Sequence, residues 1–190
     1  MGLNISGLVI DKNYENKITE LESVIGQKLV FEKEVTFDET LESWKEDTYC
    51  DVYFSKNGTL VLLSMEVGGF DFYANNQTAF SFVLSEMTMM FTINYTKNDE
   101  LIRSIMESEE MNEDEGEPFE FEKNEDDKSE LIYHLIEKTL GESFHNIDLE
   151  AKCFRYSFKQ ETVAEETNTQ SVEIENEQTN QNKKLWWKFW

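Results

Sequence analysis

The chain has 190 residues, 39% of them hydrophobic and 13% aromatic, which supports one domain with a sizeable core and argues against disorder throughout. Forty acids face 17 bases, a net charge of −23, and such a surface repels phosphate backbones while attracting basic proteins. Six of the acids and three of the bases lie in residues 160–190, leaving 34 against 14 and a charge of −20 on residues 1–159.

No run reaches the roughly 18 to 20 apolar residues of a membrane helix. The start, "MGLNISGLVIDKNY", has no basic region ahead of a cleavable apolar stretch, so a cytoplasmic protein is expected. Gly2 and Ser6 match a myristoylation pattern that is too short to weigh against the strand expected there. Cys50 and Cys153 sit in apolar runs and are expected as buried thiols rather than a disulfide framework or a zinc site.

In chain order, "LNISGLVID" (3–11) predicts a strand. Tyr14, Ile18, Leu21 and Ile25 then recur at helical spacing, with Gly26 as a stop. Residues 28–37 and "TYCDVYF" predict two more strands, the second with Cys50, Val52 and Phe54 on one face. Asn57-Gly58 is a hairpin signal leading into 60–67, which is apolar on both faces and therefore a central strand. "GGFDFYA" predicts a short edge or loop. Asn76 is placed to cap a helix through "QTAFSFVLSEM", where Phe80, Val83, Leu84 and Met87 share a stripe. "TMMFTINY" and "ELIRSIM" flank "TKND" as a second hairpin.

From 107 to 127 the chain is acidic: Glu107, Glu109, Glu110, Glu113, Asp114, Glu115, Glu117, Glu120, Glu122, Glu125, Asp126 and Asp127 face a single Lys123. With Gly116 at the sixth position of a calcium loop, Met111 falls where the first carboxylate is required, so an EF-hand is excluded and no metal is expected. A solvated acidic face is expected instead. "SELIYHLIEKTLG" (129–141) predicts a helix from Ser129 to Gly141 with His134 on its polar side, His145 follows in a loop, and 149–158 predicts a closing strand. No phosphate loop, nucleophile elbow or paired-histidine motif occurs, so no catalytic residue, cofactor or enzymatic activity is assigned.

The fold class expected is α+β: a mostly antiparallel twisted sheet with about three helices packed on one face, plus a disordered C-terminal tail. Residues 1–159 form the domain, 160–182 a disordered polar linker, and 183–190 a contact tail, "KKLWWKFW". In that tail Lys183, Lys184 and Lys188 alternate with Leu185, Trp186, Trp187, Phe189 and Trp190. It has three destinations: a groove on another protein, a patch on its own domain, or a membrane surface. The charge on residues 1–159 disfavours the last.

The order "SEMTMMFTINYTKNDELIRSIM…EGEPFEFE…SELIYHLIEKTLG" resembles that of small bacterial immunity-type proteins of polymorphic toxin systems. There a hairpin is followed by an acidic loop ending in a Phe-Glu pair, then by a helix; here the pair is Phe119-Glu120 or Phe121-Glu122. The tail is similar to Lys/Trp-rich endings of small proteins encoded near secretion and toxin loci. The resemblance spans residues 80–141 and the last eight. It implies a non-enzymatic binding protein whose acidic loop occludes a basic toxin or effector. The competing expectation is an adaptor acting through its tail.

Overall fold

The computed structural model describes residues 2–42, 44–125 and 127–159; the linker and tail of the sequence analysis lie outside these. Among the described residues nine strands form one antiparallel sheet: β1 (Asn4–Ile10), β2 (Leu29–Thr36), β3 (Tyr49–Phe54), β4 (Thr59–Leu63), β5 (Thr78–Ser85), β6 (Met90–Lys97), β7 (Glu100–Glu107), β8 (Asn112–Glu115) and β9 (Lys152–Phe158). Their order is β2-β9-β3-β4-β1-β5-β6-β7-β8. Three α-helices accompany them, α1 (Ile18–Ile25), α2 (Phe37–Thr40) and α3 (Lys128–Leu140), so the protein is α+β.

Alternation along β1 shows how the sheet is covered. Ile5 and Val9 join the core under α3, whose Leu131, Ile132, Leu135, Ile136 and Leu140 are all buried. Leu8 and Ile10 point the other way, toward Leu21 and Ile25 of α1 and Phe72 of the β4–β5 connection. The helices therefore lie on both faces, not on one as expected. Full burial of each such side chain contributes about 1.5–3 kcal/mol, so α3 alone supplies a large share of one core.

The helix stops are local. Gly26 and Gly141 each take the left-handed conformation at φ +76°, and each donates its N–H to the carbonyl four residues back. At the other end of α3, Asp127 rather than Ser129 is the cap: its side chain accepts from the Ser129 N–H at 2.8 Å. The unforeseen α2 is one turn closed by a capping box between Thr36 and Glu39.

Within residues 77–87, where a helix was expected, Thr78–Ser85 is the strand β5. Asn76 sits at φ +55°, a turn conformation rather than a cap. Every residue of β5 is buried, because the strand lies between β1 and β6 with a core on each side. Phe80, Phe82 and Leu84 face α3 while Ala79 faces the opposite core. A strand buried on both faces loses its period-2 signal, and the helical stripe read from it was a coincidence of spacing. The β6–β7 hairpin turns on Asn98 and Asp99, both at positive φ, as a two-residue turn of its kind requires.

Candidate functional site

Acidity and order meet at the β8 edge of the sheet. Within "ELIRSIM", Arg103 points inward with Ile105 and is 1% exposed. A buried guanidinium needs its charge and its five donors satisfied. The carboxylates of Asp114 on β8 and Glu122 beyond it both pair with it. Arg103 Nη2 also donates to Asp114 Oδ2 at 3.2 Å, Nε to Glu122 Oε2 at 3.2 Å, and Nη1 to the Glu115 carbonyl at 2.8 Å.

This clamp draws part of the acidic run into the sheet: Asn112–Glu115 pairs with β7 instead of forming an open loop. Gly116 ends the strand at φ +87°, and a Cβ there would overlap the carbonyl oxygen of Ile102, so the close approach needs glycine. Beyond it, "EPFEFE" alternates. Phe119 packs edge-on against Tyr95 at 5.0 Å between centroids, Phe121 stacks on Phe119 at 5.3 Å, and His134 stacks on Phe121 at 3.9 Å. Lys138 Nζ lies 4.7 Å from the centre of the Phe119 ring and 5.3 Å from that of Phe121.

Two of the acids singled out in the sequence are thereby spent internally. The bond from Arg103 holds the Asp114 carboxyl below its ordinary range. Burial pushes Glu122 upward, but the bonds from Arg103 and the Phe119 N–H outweigh it, and the net shift is downward. Glu109, Glu110, Glu113, Glu115, Glu117 and Glu120 are exposed, with Glu107 half-buried. Lys123 reaches Glu120 at 2.7 Å. The hairpin is therefore an ordered carboxylate display with one buried counter-charge. Arg103 was missed in the sequence; its signal was a lone base at an inward position of an apolar strand, followed by acids.

Next to this display, Phe121, Glu125, Tyr133, His134, Glu137 and His145 line a cleft of about 190 Å³. His134 and His145 are exposed at its rim. Burial raises both thiols, Cys153 to about 12, so Cys50 and Cys153 are held as neutral core groups. Among the described residues no group of three His, Cys, Asp or Glu side chains has the geometry to hold a metal ion. Among them, too, no helix is long and apolar enough to cross a membrane. Lys183, Lys184, Trp186, Trp187, Lys188, Phe189 and Trp190, on which the adaptor expectation rests, lie outside the described residues.

The fold is thus an α+β sheet with a core on each face and an acidic edge. Compared with family models, curated proteins and solved structures, the chain matches none.

Proposed function

We propose that this chain is a non-enzymatic cytoplasmic binding protein that occludes a basic protein partner, in the manner of bacterial immunity proteins that neutralise a toxin or effector. The observation that carries the reading is the Arg103 clamp. It pairs with Asp114 and Glu122, and Glu109, Glu110, Glu113, Glu115, Glu117 and Glu120 stay exposed along the edge it orders. Fixed carboxylates engage lysines and arginines with less ordering cost than a mobile acidic loop does. They also steer encounter with a basic surface at low salt. The same field repels nucleic acid.

The test is capture by the immobilised full chain at low ionic strength, repeated with rising salt and with a variant carrying Glu→Gln at 109, 110, 113, 115 and 117. The expected result is retention of a basic protein whose affinity falls steeply with salt and drops about tenfold or more in the variant. Retention of no protein, or retention indifferent to salt and to the substitutions, overturns the reading.

A further inference from the structure

The strand register brings several chain reversals to one end of the sheet. Asn4 lies opposite Ser85 and Ser6 opposite Leu63, so the turns at 64–68 and 86–89 meet the start of β1 there. The loop before β3 joins them: Glu42 and Lys45 line a crevice with Asn4, Leu63 and Met65. Asn4 Nδ2 also contacts Met87 Sδ at 3.0 Å. Among the described residues, the three most exposed large apolar side chains all belong to this end: Trp44 at 91%, Met87 at 70% and Met89 at 64%.

Trp44 is displayed by anchored neighbours. Leu41 packs against the core on one side of it. On the other, the Lys45 side chain is 4% exposed and pairs with Asp51, which is fully buried and also takes Arg155 Nε at 2.7 Å. The Arg155 guanidinium lies 4.4 Å from the centre of the Tyr49 ring, closing the anchor. Lys45 is turned inward, and the turns at this end carry Glu42, Glu46, Asp47, Glu66 and Glu86, all exposed, while the exposed Lys28 and Lys159 stand at the same end on the β2–β9 side. A tryptophan exposed to water next to the anchored Lys45, at the same end as two adaptable methionines and several carboxylates, is built for contact.

We infer that this end of the sheet is a docking surface for a basic amphipathic segment of a partner protein. Apolar residues of that segment cover Trp44, Met87 and Met89, and its lysines or arginines meet the surrounding acids. The occupant follows from charge: an acidic rim around an apolar centre excludes anionic lipid and repels a second copy of this chain, which carries the same acids. The inference rests on the basic-partner reading and adds where apolar contact is made. The β7–β8 turn lies at the same end, because Phe91 pairs with Glu107, so the surface continues into the hairpin.

The experiment uses the full chain with Trp186→Phe, Trp187→Phe and Trp190→Phe, which leaves Trp44 as the sole tryptophan reporter. The probe is a synthetic Leu/Lys peptide of about 18 residues with leucines at helical spacing. A blue shift of Trp44 emission that saturates with peptide is expected, and an all-lysine peptide of equal charge should leave the emission unchanged. Trp44→Ala, an exposed site whose melting temperature should not move, should weaken peptide binding about 30-fold by titration calorimetry, which needs no tryptophan. Unchanged Trp44 emission at saturating peptide overturns the inference. So does a blue shift produced by phosphatidylcholine vesicles, or by raising protein concentration, without peptide. If partner capture is lost in the hairpin Glu→Gln variant but not in Trp44→Ala, the inference alone fails. If neither change affects capture of a basic protein, the reading beneath it fails as well.

Discussion

The two arginines of the chain occupy matching places and do opposite work. Arg155 lies on β9, one strand in from the β2 edge, and Arg103 on β7, one strand in from the β8 edge. Arg155 and Lys45 share one buried carboxylate, Asp51. Arg103 is one buried cation shared by two carboxylates, Asp114 and Glu122. The first cluster is closed, with its anion fully buried and Lys45 almost so. The second opens outward, since the Asp114 side chain is 59% exposed and continues into the acids of the hairpin. Scarce cations in an acidic chain are thus used internally, once to lock a loop and once to hold an acidic edge in the sheet.

The largest loss is expected at Asp51. Asp51→Ala leaves the buried Lys45 ammonium and the half-buried Arg155 guanidinium without their counter-ion and should cost about 3–5 kcal/mol in urea denaturation, as breaking a buried pair does. Release of residues 44–48 should follow, read as faster amide exchange at Lys45 and Tyr49 than in the parent.

Arg103→Met should cost less, about 3 kcal/mol, because Asp114 can turn to water while Glu122 stays buried. The pH dependence separates the two clusters. In the native chain Asp114 and Glu122 are held below their ordinary range, so the stability they contribute is complete above about pH 4.5 and is lost as pH falls through their lowered values. In Arg103→Met the burial of Glu122 loses its larger opponent and is countered by the weaker bond from the Phe119 N–H, so the carboxyl moves upward and favours the folded state when protonated. The stability gap between parent and variant should therefore close as pH is lowered through about 4. A gap that widens toward acid would refute the clamp.

The smallest effect expected is at the cap where the acidic run enters α3. Asp127→Ala should cost about 1 kcal/mol in thermal or urea unfolding, with the Arg103 cluster unchanged. A loss as large as that of Arg103→Met would mean that helix and hairpin unfold as one unit.

The candidate site was half legible in the sequence. The density of carboxylates from Glu107 to Glu122 is a compositional fact, and so was their attraction for basic partners. That Asp114 and Glu122 are the two that pair with Arg103, and Glu113 and Glu115 are not, was hidden, because it depends on which side of β8 meets Arg103. Trp44 drew no notice because nothing local marks a tryptophan as exposed.

Sequence by itself determined the elements with local causes. The helices end at Gly26 and Gly141 because a left-handed residue is needed there, and the β6–β7 hairpin turns at Asn98-Asp99 because both residues tolerate the positive φ required. Only the tertiary structure decided that 78–85 is a strand, that helices cover both faces, and that Asp51 finds Arg155 across 104 positions. Those outcomes turn on burial from two sides and on pairing between distant strands, and no window of neighbouring residues contains either.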